Sequence, residues 1–214
     1  MAVAVKICGV RTAEAALVAA EAGADMVGLM FAPSRRQIDA VTAREIVRAL
    51  RSSPHGGHVM VVGVFVNETS EQMAALADDV GLDWIQLSGH EPLSVADALP
   101  VPAIKALRFD HDSSETDWLE QPASCDMLPV MIDAHVAGSF GGAGVTADWD
   151  AAAELAGQRP VLLAGGLNPT NVQTAIETVQ PWGVDVSSGV ETDGVKDHAK
   201  IRSFIQAAKT ATRR

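Results

Sequence analysis

Eight short apolar runs return along the chain at intervals of roughly 27 residues, and nothing else in the sequence restricts its fold as strongly. They are AVKIC (4–8), MVGLMF (26–31), VMVVGVFV (59–66), DWIQL (83–87), PAIKAL (102–107), LPVMID (128–133), PVLLAG (160–165) and GVDVSS (183–188). Each is almost continuously apolar, as strands buried on both faces of a parallel sheet are, whereas half-exposed antiparallel strands alternate. Between the runs lie Ala-rich stretches with helical spacing and N-terminal signals. These predict helices from Thr12, from Thr42, from Thr69, and from Asn168 with Pro169 in the first turn. Gly23 and Gly81 stand where two of the helices should stop. The fifth unit departs from the pattern, because RFDHDSSETDWLEQPAS (108–124) is polar and lacks apolar repeats. Eight strand–helix units in 214 residues predict a single-domain (β/α)8 TIM barrel over 1–214, since an open doubly wound sheet usually has fewer strands.

Charge narrows the partners. With 27 acidic against 16 basic residues and a net charge of −11, the chain offers no general surface to nucleic acid or anionic membrane. An anionic ligand must then be held locally, by an arginine or by backbone N–H groups at helix starts. The two cysteines are far apart and lack CxxC spacing, so they form neither a metal site nor a disulfide framework. The start MAVAVKICG has no charged leader before a long apolar segment, and nowhere do 18 apolar residues run together. The expectation is a cytoplasmic protein with reduced thiols and no membrane or nucleic-acid partner.

In a barrel of this kind the active site lies at the C-terminal ends of the strands, so the strand tips are the residues to read. Cys8 ends the first strand, Gln86 lies near the end of the fourth and Asp133 ends the sixth. Alternation puts Lys6 with Cys8 on one face, Gln86 with Ser88, and Pro129 and Met131 with Asp133. Taken alone, a thiol flanked by apolar residues also fits a core position, and an aspartate after VMI also fits a loop cap. The glycine-rich segments GSFGGAGVTADW (138–149), AGGLNP (164–169) and SSGVE (187–191) add weight. The last two follow strands seven and eight, where such barrels hold phosphate against closely approaching backbone. His55 and His58 share a loop without a third metal ligand, Cys125 sits in a loop, and the four tryptophans lack basic interleaving.

The segments VKICGVRT, VGVFVNE, WIQLSGHE, IDAHVAGSFGGAGVTADW, LLAGGLNPTNV and GVDVSSGVETDGVKDHAKI, in this order, resemble the phosphoribosylanthranilate isomerase family of tryptophan biosynthesis, over residues 5 to about 208. The resemblance implies an Amadori rearrangement of a small phosphosugar, without metal or organic cofactor, in a monomer. It places the general base on Cys8 and the general acid on Asp133. Arg36 would meet the anthranilate carboxylate, with Gln86 and Asp185 completing the substrate contacts; Arg35 would face solvent. A buried ion pair with Lys6 is the competing reading of Asp185. Gly165, Gly166, Ser187, Ser188 and Gly189 would hold the phosphate, and Gly141, Gly142 and Gly144 would form a mobile loop. The chemistry calls for an Asp133 that is raised by burial and a Cys8 thiolate favoured by a nearby cation. Ser88 replaces the family's usual histidine, and Ala134 and His135 stand where threonine and lysine are common. The rivals are another phosphosugar barrel, such as an indole-glycerol-phosphate synthase or a ribulose-phosphate epimerase, and a barrel that binds phosphosugar without turnover. The synthase's lysine-and-glutamate and the epimerase's metal-site patterns do not match these strand tips, whereas for the silent barrel Cys8 and Asp133 count against it and Ser88 leaves it open.

Overall fold

The computed structural model describes residues 3–107, 113–120, 129–133 and 149–212. The eight apolar runs form β1 (Ala4–Cys8), β2 (Met26–Met30), β3 (Met60–Phe65), β4 (Trp84–Leu87), β5 (Ala103–Leu107), β6 (Val130–Asp133), β7 (Val161–Ala164) and β8 (Gly183–Val186). They pair in sequence order, all parallel, and β8 closes on β1. Around them lie α1 (Ala13–Glu21), α2 (Ala40–Ser52), α3 (Ser70–Val80), α4 (Leu93–Asp97), α5 (Thr116–Leu119), α6 (Trp149–Ala156), α7 (Val172–Val179) and α8 (His198–Thr210). A two-stranded ribbon of β9 (Glu191–Thr192) and β10 (Val195–Lys196) precedes α8.

Strand alternation divides the apolar side chains into two cores. Outward residues such as Val5, Ile7, Val27, Leu29, Leu163 and Val184 pack beneath the helices in one large cluster. Inward residues Met26, Val62, Ile104, Met131 and Leu162 fill the barrel, with Met60, Trp84 and Trp182 packed against them. This filling makes the barrel a solid support, so its chemistry is confined to the rim.

Helix starts follow the capping residues, with two corrections to the sequence reading. Thr12 and Thr69 cap α1 and α3 through their hydroxyls, as expected. The second helix starts at Ala40, because Asp39 accepts from the Thr42 N–H and so captures the orphan donor before Thr42 can act as cap. The seventh starts only at Val172. Asn168 and Asn171 bond the backbone of residues 170 and 168, which holds this segment, Pro169 included, in a turn. In the fifth unit one anchor replaces an apolar stripe: Trp118 is fully buried, and its indole N–H donates to the Glu91 carbonyl at 3.0 Å.

A second buried device fixes the β4–α4 connection. Lys105 points outward from β5 into the helix-side core, where its Nζ donates to Glu91 Oε2 at 2.9 Å and to the Gly89 carbonyl. Glu91 also accepts from the N–H groups of Asn67 and Gly89. Replacing Lys105 with methionine strands that carboxylate, and should cost about 3 kcal/mol in urea unfolding, the lower end of the range for broken buried pairs because the N–H donors remain. A change below about 0.5 kcal/mol in that unfolding would refute the role given to the pair.

Candidate active site

Closing the barrel brings three polar side chains from β1, β4 and β8 together at its centre. Lys6 Nζ donates to Asp185 Oδ1 at 2.7 Å and to Gln86 Oε1 at 2.8 Å, and Gln86 Nε2 donates to Ser88 Oγ at 3.0 Å. Lys6 is fully buried and Asp185 nearly so. The ion-pair reading of Asp185 therefore describes its main contact, although one side of the carboxylate still lines the cavity above. Ser88, where the family pattern has histidine, holds the amide of Gln86 in place.

Cys8 sits one step nearer the mouth on the same face of β1, beside the Lys6 ammonium whose charge acts on it. Burial pulls Lys6 down, but Asp185 and Cys8 outweigh it and leave the lysine above its ordinary value. Burial pushes the Cys8 thiol up, and the charge of Lys6 opposes this without cancelling it. The expected nearby cation is thus present, but desolvation is the larger effect and holds Cys8 above the ordinary thiol value. Lys6 thus favours the thiolate, as the chemistry calls for, and burial works against it.

Gly28 was given no role in the sequence reading, and the packing supplies one. A Cβ at this inward position of β2 would stand 2.8 Å from Cys8 Sγ and 3.1 Å from Lys6 Nζ. An isolated glycine inside the run MVGLMF was the available signal for such a close approach. Gly28→Ala should lower kcat by on the order of 10²-fold by displacing both groups, while overpacking costs about 1–3 kcal/mol. Steady-state kinetics beside thermal unfolding checks this; unchanged kcat would show that the site tolerates the methyl.

Above Cys8 opens a cavity of about 290 Å3. It is lined by Cys8, Gln86, Asp185 and Arg36 and by Gly165, Gly166 and Ser187 to Gly189, with Met30, Met131 and Leu167 as apolar walls. Gly165 and Gly166 have φ of 85° and 61°, a left-handed pair that residues with side chains rarely adopt. At Gly189 a Cβ would lie 1.9 Å from the Leu167 carbonyl oxygen, so the loops after β7 and β8 touch through their backbones. The five residues expected at a phosphate are therefore one continuous wall.

Arg36 reaches this cavity from the β2–α2 loop, but its fork is already engaged. Nε and Nη2 donate to Glu191 Oε1 and Oε2 at 2.7 and 3.0 Å. Arg35 stays 58% exposed on its side chain, yet also donates to Glu191 Oε2 at 2.8 Å. Lys196 completes the cluster at 2.9 Å. Burial raises the Glu191 carboxyl, but hydrogen bonds from Arg36 and Lys196 prevail and bring it to about 2. Its contribution to stability is then complete above about pH 4.5 and lost as pH falls toward about 2. Glu191→Gln should flatten that part of an acid unfolding curve followed by circular dichroism. Sequence reading missed Glu191 and Lys196, although a carboxylate directly after the glycine-rich SSGV was a usable sign.

Asp133 closes β6 with its backbone in register with Ala164, a residue of the cavity wall. Its side chain, and Gly141, Gly142, Gly144, Cys125, Ala134 and His135, lie outside the described residues. Among the described residues no helix is long and apolar enough to cross a membrane, and no three His, Cys, Asp or Glu side chains are grouped to hold a metal ion.

A filled barrel with a buried thiol, an arginine and a two-loop glycine wall at its mouth defines a (β/α)8 enzyme of the phosphosugar-handling class. The family model described as N-(5'-phosphoribosyl)anthranilate (PRA) isomerase matches residues 5–207. The N-(5'-phosphoribosyl)anthranilate isomerase of Roseiflexus sp. (strain RS-1) is 55% identical over 210 residues, 97% of this chain and 98% of its own. The crystal structure of phosphoribosyl anthranilate isomerase from Thermotoga maritima superposes with a TM-score of 0.81 at 39% identity, covering 97% of this chain and 98% of that one. Another crystal structure of such an isomerase, in complex with reduced 1-(o-carboxyphenylamino)-1-deoxyribulose 5-phosphate, gives 0.79 at 38% identity with the same coverage. The chain belongs to the phosphoribosylanthranilate isomerase family and is an isomerase of tryptophan biosynthesis.

Proposed function

We propose that the chain converts N-(5-phospho-β-D-ribosyl)anthranilate to 1-(2-carboxyphenylamino)-1-deoxy-D-ribulose 5-phosphate with Cys8 as general base and Asp133 as general acid. The observation that carries this reading is that Cys8, Arg36 and the glycine wall of loops seven and eight line one cavity. A substrate with a carboxylate at one end and a phosphate at the other can span it.

Asp133 gives its proton to the furanose ring oxygen as the C1–O bond breaks, and the anilino nitrogen lone pair forms the C1=N bond of a protonated imine. The cationic imine acidifies the C2 proton. The Cys8 thiolate removes that proton, and the C2–H electrons become the C1=C2 bond of a neutral enolamine, which tautomerises to the ketone. Each positioned acid or base contributes on the order of 10² to 10⁴ in rate, and orientation between two anchored ends supplies more.

Burial holds the Cys8 thiol above its ordinary value, and Lys6 stabilises the ionised form that takes the proton. Arg36 binds the anthranilate carboxylate through the guanidinium edge that Glu191 leaves open, and Asp185 and Gln86 accept or donate to ribose hydroxyls. The phosphate lies against Gly165, Gly166, Ser187, Ser188 and Gly189, where the left-handed glycine pair lets the backbone approach closely. The reading takes 1–214 as one cytoplasmic domain, active as a monomer without metal, organic cofactor, nucleic acid or membrane.

Freshly generated phosphoribosylanthranilate is fluorescent, and its consumption by purified protein is the direct test. Turnover that yields the ribulose phosphate supports the reading. A protein that binds the substrate but leaves the fluorescence unchanged over many enzyme equivalents would be a silent phosphosugar-binding barrel instead.

A further inference from the structure

We infer that Glu191 is a positioning residue that sets the distance between the two anion-binding ends of the cavity, acting through Arg36 on one side and through Lys196 on the other. The inference rests on the reading of the site just given.

The geometry is that of a double-sided clasp. One carboxylate oxygen accepts from Arg36 Nε at 2.7 Å and Lys196 Nζ at 2.9 Å; the other accepts from Arg36 Nη2 at 3.0 Å and Arg35 Nη2 at 2.8 Å. Four donors fill the lone pairs of a carboxylate, so Glu191 has no capacity left for a ligand. Its own place is fixed twice, since Lys200 Nζ donates to its carbonyl at 2.8 Å and it begins the β9–β10 ribbon. Lys196, on the opposite strand of that ribbon, donates its Nζ a second time, to the Ser187 carbonyl at 2.8 Å. Ser187 opens the turn Ser187 to Gly189 that forms the phosphate side of the cavity.

Arg11 adds a brace from the β1–α1 loop, donating to the carbonyls of Arg35 at 3.2 Å and Gly194 at 3.1 Å. The arginine loop and the ribbon are therefore tied by backbone as well as by charge. Three cations on one carboxylate also leave local positive charge at the rim of a chain whose net charge is −11. Of the three, Arg36 lines the cavity itself, and Lys196 reaches it only through the Ser187 carbonyl; Glu191 draws both into one fixed arrangement. Without its charge, Arg36, Arg35 and Lys196 repel one another and lose their shared anchor.

A contact that only presents the substrate is felt in binding more than in the chemical step. Glu191→Gln should therefore raise KM by roughly tenfold to a hundredfold with kcat changed less than about threefold. Two one-ended inhibitors separate the arms of the clasp. Glu191→Gln should weaken competitive inhibition by anthranilate and by inorganic phosphate alike, each by at least about fivefold, whereas Lys196→Met should weaken phosphate and spare anthranilate. A merely structural role would not produce this split between ligands. KM and both inhibition constants within twofold of wild type in Glu191→Gln, or a fall in kcat at constant KM, would overturn the inference. Absence of turnover in the wild type itself would instead overturn the proposed function, so the two failures are distinguishable.

Discussion

Replacing Cys8 with serine should lower turnover by on the order of 10² to 10⁴ while the barrel stays folded. The substitution is nearly isosteric, and the hydroxyl can still occupy the small volume left by Gly28 and accept from Lys6. What changes is basicity: a free thiol ionises near pH 8.5, whereas an alcohol does not ionise in the accessible range, so the fraction able to take the C2 proton collapses. KM should stay within a few-fold, because the anion-binding ends of the cavity are untouched. The measurement is the rate of substrate fluorescence loss under saturating conditions, with circular dichroism and thermal unfolding confirming the fold. A serine variant with more than a tenth of wild-type turnover would remove Cys8 from the role of base. Asp133→Asn in the same assay addresses the acid.

The second large effect is expected at Lys6. Its ammonium bonds Asp185 and Gln86 at the barrel centre, with no solvent to replace it. Lys6→Met leaves the Asp185 carboxylate without its cation in a buried setting, which costs about 3–5 kcal/mol in comparable pairs. Removing the carboxylate as well, in Lys6→Met with Asp185→Leu, should recover much of that stability, since the cost lies in the stranded charge rather than in the lost bond.

The same variant reports on Cys8. Burial already holds the thiol above its ordinary value, and Lys6 is the cation that opposes this. Without it the thiol must titrate at still higher pH. Thiolate absorbance followed against pH in a Cys125→Ser background should shift upward relative to the same background with Lys6 present. A downward shift, or a stability loss below about 1 kcal/mol in the single variant, would contradict the electrostatic picture of the barrel centre.

The apolar runs were readable as strands because burial on both faces of a parallel strand is written directly into local composition. Cys8 and the glycine segments after β7 and β8 were legible for a related reason, since a polar or flexible residue at the end of such a run has few places to go. The helix starts at Ala40 and Val172 were not. There, side chains two or three residues apart compete for the same N–H groups, and only the folded backbone shows which one wins. The fifth helix was obscure because it depends on the single anchor Trp118, whose partner Glu91 lies 27 residues away.

The sequence by itself determined the architecture, the strand tips that carry a thiol and an acid, and the loops suited to an anion, because each depends on residues close together in the chain. Tertiary structure alone decided how those parts act on one another. Lys6 meets Asp185 across 179 residues, and Arg36 meets Glu191 across 155, only when β8 closes on β1. Closure also desolvates Cys8 beside its cation, and the balance between those two opposing effects is a matter of distance and burial that no local pattern records.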